Sequence, residues 1–271
     1  MDVYNRKRGF FVILELFKSR PVLDEESVQW LFELYHWSLK NFYADIFFRQ
    51  TELIVPSNQF FPGSANNSTE MAQLIFDKVR EYAGLKHWPC RLIAEQSCST
   101  QAPRIAVSGA LRDMSGTEPE FVLEEQRLTI AYDPLQVNNP EAIIASFAHT
   151  LAHYLGSMAP DKPPGAEENW PQATEVLAVF LGFGLMFSNS AFVYRNVACG
   201  SCQPQTVNRQ AWLSQYDITY ALAIFAVLKE IPPGQVTTHL KKSLRSFFKK
   251  AYKDVKKRQP ELKKLNALAS L

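Results

Sequence analysis

Two histidines stand four residues apart in FAHTLAHYLG, His149 and His153. On a helix that spacing projects both imidazoles from one face, one turn apart. Neutral imidazole is a common zinc ligand at roughly 2.0–2.1 Å, so the pair supplies half of a tetrahedral site and leaves one or two protein ligands to be found. With five histidines in 271 residues, an H-x3-H arises by chance with a probability of about 0.1. The alternative to a metal site is a pair of histidines that pack or face solvent.

The leading acid is Glu175, which directly precedes the most apolar run of the chain, residues 176–187. An ionised carboxylate there is costly to bury unless it is paired, capped or bound to metal. Otherwise it is an exposed first-turn acid favoured by the helix dipole. Asp161, Glu167 and Glu168, in the connection APDKPPGAEENWP, compete with Glu175 for the place of third ligand. Glu167 and Glu168 are also the acids that could act as a relocated base, or else are solvated. A strand, a loop, a His-pair helix, a proline-rich connection and a helix carrying an acid follow the order of zinc peptidases in which H-E-x-x-H supplies two ligands and a downstream helix a third.

The elements that must position these residues are legible as periodicity. Asp24 caps a helix through about Phe42, with Val28, Leu31, Phe32, Leu34, Tyr35 and Leu39 on its apolar side and Glu25 and Glu26 in its first turn. TELIVPSNQFFPG reads as extended chain. Ser68 or Thr69 opens a second helix that ends near Gly84. WPCRLIAEQ reads as a strand, and RIAVSG, EFVLEE and RLTIAYD as a small sheet with turns at Gly109 and Gly116. Pro140 suits the first turn of a helix over 141–156. Apolar helices follow over about 172–188 and 214–228, then a basic amphipathic one. Helices, a small sheet and more helices, with no internal repeat, predict an α+β fold rather than a doubly wound parallel sheet. Phe180, Phe183 and Phe187 are expected in the core.

The stretches RPVLDEESVQWLFE, VPSNQFFPG, GLKHWPCRLIAE, LTIAYDP, FAHTLAHYLG, TEVLAVFLGFGLMFSNSAF, YALAIFAVLKE and HLKKSLRSFFKKA resemble successive blocks of an uncharacterised, mainly bacterial family of zincin-like proteins, over about residues 20–252. Members carry H-E-L-A-H in the helix and T-D-L-L-x-V-F-L-G-x-G downstream. The resemblance implies a single zincin-like domain over 1–271: a mainly helical region at 1–89, a small sheet plus metal-site helices at 90–190, and a helical region with a basic tail at 191–271. It also implies one zinc per chain, with His149 and His153 on the family's two histidines and Glu175 on the downstream aspartate. The family has no substrate that could be transferred.

Thr150 takes the place of the family's glutamate. In a zinc peptidase that glutamate accepts a proton from the metal-bound water and passes it to the leaving amine. A threonine hydroxyl is no base near neutral pH, and losing general acid–base catalysis worth roughly 10²–10⁴-fold removes about 3–5 kcal/mol of barrier lowering. The expectation is a metal-binding, degenerate metallopeptidase with weak or no hydrolase activity, its cleft open to a peptide or protein ligand.

Composition excludes several classes. At 46% hydrophobic and 21% charged residues, collagen-like, low-complexity and wholly disordered chains are out. No apolar run reads as long enough to cross a bilayer. The amino-terminal MDVYNRKRGFFVILELFKSRP lacks a small-residue cleavage site and is interrupted by Glu15, so the chain reads as mature cytoplasmic protein. The net charge of +2 conceals a division: residues 241–264 hold eleven Lys or Arg and two acids, net +9, against −7 for the rest. That tail is either a solvated amphipathic face or the contact of a non-enzymatic interaction module for an acidic protein or a nucleic acid. Cys199 and Cys202 form a C-x2-C knuckle, half of a zinc site, with Cys90 and Cys98 at an atypical C-x7-C spacing. His239 is read as a cap, a packing residue or a neighbour of the metal, His87 as part of a turn beside Trp88, and His36 as a helix residue without a metal-ligand partner.

Overall fold

Helix-starting side chains stand where capping chemistry requires them. In this computed structural model, which describes residues 21–94, 109–119, 122–123, 126–189 and 212–270, Asp24 accepts from Ser27 N at 2.8 Å and opens α1, Glu25–Asn41. Its six expected apolar positions are all buried. Asn67, one residue ahead of the expected cap, accepts from Glu70 N and opens α3, Ser68–Ala83. Gly84 ends that helix at φ 73°, a left-handed cap that glycine adopts without penalty. Between them, in residues that periodicity leaves unassigned and just ahead of the segment read as extended, lies a short helix, α2, Ala44–Gln50, entered through Tyr43 at φ 61°.

The sheet is smaller than the alternating pattern suggested. Two strands, β1 (Cys90–Ala94) and β2 (Leu128–Tyr132), pair in parallel with Cys90 opposite Leu128 and Ala94 opposite Tyr132. Val122 and Leu123 of EFVLEE are not in a strand, and most of RIAVSG lies outside the described residues. Asp113 to Gly116 forms the expected turn. The described residues are mostly helical with this one small parallel sheet, an α+β composition.

After a 3₁₀ turn, Pro134–Asn138, Asn139 caps α4, Pro140–Ser157, with Pro140 in its first turn. α5, Trp170–Ala178, runs through a π-helical segment, Val179–Phe183, into α6, Gly184–Asn189. This helix is longer than the run read from composition; it is the one helix among the described residues long and apolar enough to span a membrane, and 89% of its most apolar window is buried inside the protein. Phe180, Phe183 and Phe187 are in the core, as expected. A capping box between Ser214 and Asp217 opens α7, Gln215–Leu228. α8, Pro233–His239, leads to α9, Lys242–Lys257, and α10, Gln259–Asn266.

The basic run is thus two helices. Pro260 disfavours helical backbone at the residue before it and removes a donor from the ladder. At the break, Arg258 donates to Asp254 and, through both terminal nitrogens, to Glu25 at 2.7 and 2.8 Å. The carboxy-terminal helices are thereby tied to the start of α1. Tyr220 of α7 donates to the same Asp254 at 2.5 Å. On α9, Leu244, Phe248, Ala251, Tyr252 and Val255 are buried, facing α7, and the lysines between them are exposed.

The π-helical segment has a specific cause. Gly182 sits at φ 103°, and a Cβ there would run into the carbonyl oxygen of Glu52, while Ile54 N donates to Gly182 O at 3.0 Å. The chain at 51–55 therefore crosses the central helix where its ladder is opened. Gly182→Ala combines a backbone strain of order 1–3 kcal/mol with a backbone clash, so a loss of about 3 kcal/mol is expected. Gly234→Ala, where the added methyl meets nothing within 4 Å, should lie within about 1 kcal/mol of wild type. Urea denaturation of the two variants checks this pair of outcomes.

Candidate functional site

His149 and His153 lie one turn apart on α4, which packs against α5. The contact between the helices is close: a Cβ on Gly156 would stand 2.8 Å from the Trp170 ring and 3.3 Å from Leu177. Burial, and after it the neighbouring His153, push the pKa of His149 down to about 4. His149 is therefore neutral at physiological pH. His153 has an exposed edge, yet the Trp170 indole stands against it with ring centroids 5.6 Å apart, and the resulting desolvation lowers its pKa as well.

The indole does more than shield the ring. Trp170 Nε1 donates to His153 Nδ1 at 3.0 Å. A neutral imidazole has one lone pair in the ring plane, on the nitrogen without a proton. If Nδ1 accepts from tryptophan, Nε2 carries the proton, and neither nitrogen of His153 offers a lone pair to a metal.

Thr150, next to His149, turns its hydroxyl back along the helix and donates to Ser146 O at 3.0 Å. Glu175 is buried, 2% exposed, so the surface-acid alternative is set aside. Its Oε2 accepts from Leu213 N at 3.0 Å, just before the cap of α7. The carboxylate thus joins the central helix to the helix that packs on it. The competing acids stand at the surface. Asp161 pairs with Lys40 at 2.7 Å and Glu167 with Lys162 at 3.0 Å, and Glu168 is exposed.

The loop between α4 and α5 is held from outside by α1. Trp37 Nε1 donates to Asp161 O at 2.8 Å, Trp30 Nε1 to Pro164 O at 3.1 Å, and Asp161 N to Asn41 Oδ1 at 3.3 Å. Trp30 and Trp37 are thus clamps on the connection between the two site helices.

The residue types fit zinc, with two imidazoles kept neutral and a buried carboxylate on adjoining helices. Their present bonding does not. His153 has its acceptor nitrogen occupied, and no three His, Cys, Asp or Glu side chains among the described residues stand close enough to hold a metal ion. Cys98, Cys199 and Cys202 lie outside the described residues. Cys90 is a buried free thiol whose pKa burial raises to about 11, which keeps it protonated and unreactive. His87 Nε2 bonds Ala110 O at 2.9 Å and packs against Gly116, consistent with a place in a turn. His239 ends α8, where its carbonyl accepts from Asn189 at 2.8 Å. His36 is half-buried, its pKa lowered by desolvation and then by Lys264 and Lys40.

Sequence spacing has no means of locating Trp170, seventeen residues from His153, as the partner that decides the state of the imidazole. No protein-family model, curated protein or solved structure matches the chain.

The desolvated, half-buried His149 makes stability depend on pH. An unfolded histidine takes up a proton below about pH 6.5, whereas His149 in the fold does so only near 4. Between those values the unfolded chain binds more protons, so stability is complete above pH 6.5 and falls as the pH falls toward 4, by about 3 kcal/mol from this residue. His153 adds to the loss in the same direction. Urea denaturation at stepped pH with a chelator present should show the decline in the wild type and a flatter profile in His149→Gln.

Proposed function

We propose that this chain is a zincin-like protein that has given up peptide hydrolysis and retains a site for binding. The observation that carries the reading is the state of α4. At the place of the general base stands Thr150, its hydroxyl committed to Ser146 O, and the second histidine is engaged by Trp170. A divalent metal, zinc foremost, enters this reading as a ligand of His149, His153 and Glu175 that must displace the Trp170–His153 hydrogen bond. The cleft then serves a peptide or protein ligand, or the metal joins the two helices. The family resemblance and a cytoplasmic location belong to the same proposal, the first supported by the sequence blocks quoted above and the second by four cysteines in 271 residues, too few for a disulfide scaffold.

Competition between zinc and a chromogenic chelator tests the reading. The wild type should bind zinc weakly, His149→Ala should not bind it, and Trp170→Phe should bind roughly fivefold more tightly, since the hydrogen bond removed is worth about 1 kcal/mol. Equal affinity in wild type and His149→Ala would remove the metal from the proposal. Zinc-dependent cleavage of labelled casein by the wild type would overturn the loss of hydrolysis.

A second reading rests on the carboxy-terminal helices. All nine lysines of residues 241–264 are exposed, and among the described residues none lies within 4 Å of a carboxylate. A like-charged face of this kind favours a polyanionic partner through screened attraction. Neutralising Lys249, Lys250, Lys256 and Lys257 to Gln should lower the salt concentration at which the protein leaves a heparin column. Elution unchanged in that variant would return the face to a solvated surface.

A further inference from the structure

Beside the crossing at residues 51–55, and on the far side from the helix that it crosses, the turn after α7 and the short α8 close an open cavity of about 600 Å³. Its apolar lining comes from Leu53, Val55, Phe60 and Ile231. The wall carrying Leu53 and Val55 is preformed, because Ile54 N is bonded to Gly182 O and the Glu52 carbonyl sits over Gly182. A cavity with one wall fixed by the core is present before any ligand arrives.

The charges around it are unbalanced. Lys229 lines the cavity and is half-buried; its ammonium donates to Phe47 O at 2.7 Å and Phe48 O at 2.6 Å, which uses two of its three N–H bonds. Arg49 stands at the rim. Behind the lining residue Thr51 is Arg112, 1% exposed, which donates to Thr51 Oγ1 at 2.7 Å and to Ala83 O at 2.8 Å, while its Nη1 finds no hydrogen-bond partner. The acids in reach are Glu52 on the lining and Asp45 behind it. Neither lies within 4 Å of these cations among the described residues, and none of the three is in an ion pair.

Helix carbonyls compensate part of this charge. Phe47 and Phe48 belong to the last turn of α2 and Ala83 to that of α3, where the helix dipole favours a cation. Carbonyl dipoles satisfy donors but do not neutralise a net charge, and a partly desolvated cation without an anion remains costly. Desolvation, and after it repulsion from Arg112, lowers the pKa of Lys229, with Glu52 acting against both.

We propose that this cavity binds a small organic carboxylate with an apolar body. The carboxylate takes the remaining ammonium donor of Lys229, and the body covers Leu53, Val55, Phe60 and Ile231. A cationic ligand is disfavoured by the three cations. A bare inorganic anion would leave the apolar lining uncovered. The site is distinct from the His149–His153 face and independent of how that face is read.

The test uses octanoate, with octanol and octylammonium as matched neutral and cationic probes, in calorimetric titration of the full chain. Octanoate should bind one per chain, and both matched probes at least ~10-fold more weakly, a difference of about 1.4 kcal/mol. Lys229→Met, which keeps the aliphatic stem, should weaken octanoate by a similar factor. Because that change also frees the Phe47 and Phe48 carbonyls, a second variant is needed. Thr238→Trp leaves Lys229 intact, fills the cavity from its exposed rim and should abolish binding while circular dichroism and unfolding midpoint stay at wild-type values. Equal binding of the three probes, octanoate binding that survives Thr238→Trp, or no octanoate binding by the wild type would each overturn the proposal.

Discussion

A helix that is apolar on every side can be stable in water only at the centre of a protein. From Ala173 to Asn189 each residue of the central helix is buried. No single neighbour can cover such a surface, so α1, α3, α4 and α7 must surround it. The placement of the remaining chain follows. Phe180 stacks on Phe47 with centroids 4.5 Å apart, bringing α2 onto the central helix, and Tyr35 of α1 meets the same ring edge-on. The opened π-helical turn is where residues 51–55 pass across, and only glycine allows the backbone of that segment to come so near.

With the centre filled by hydrocarbon, polar groups near it have few permissible positions. They sit at helix ends. Glu175 accepts from the backbone N–H before α7, Arg112 and Lys229 donate to carbonyls that end α3 and α2, and Tyr220 and Arg258 share Asp254 where α9 stops. Helix termini carry backbone donors and acceptors without partners in the helix, so a buried polar side chain finds its bonds there. These contacts determine which helix ends meet, whereas the hydrophobic surface between them determines mainly that they pack. Arg258 and Glu25 extend the same principle to the surface, joining helices more than two hundred residues apart in sequence.

The histidine pair occupies the boundary between these regimes. His149 is half-buried and desolvation holds it neutral; His153 stands at the edge, where an indole from the adjoining helix reaches its acceptor nitrogen. A metal ligand needs an available lone pair as well as a suitable position, and the second requirement can be met while the first is not. Thr150, beside His149, repeats the pattern, since its hydroxyl has been absorbed by the helix backbone. His153 and Thr150 are both bonded to their own scaffold.

How much of this was legible in the sequence follows the range of the interactions concerned. The cap at Asp24, the left-handed stop at Gly84 and Pro140 in the first turn of α4 depend on residues a few positions apart, whereas the basic run, periodic throughout, reads as one helix and is divided near Pro260. The one-turn spacing of His149 and His153 is equally local, as was the exposure of the lysines between the apolar positions of α9. Short strand patterns were less informative, because Val122 and Leu123 alternate like strand residues without a neighbour to pair with in the described sheet. Tertiary structure alone decided that Trp170 bonds His153, that Trp30 and Trp37 clamp the loop between the site helices, and that Lys229 lines a cavity behind whose Thr51 wall Arg112 is buried. Periodicity encodes which face of a helix turns inward; which nitrogen, carbonyl or carboxylate it meets there depends on segments brought together from distant parts of the chain.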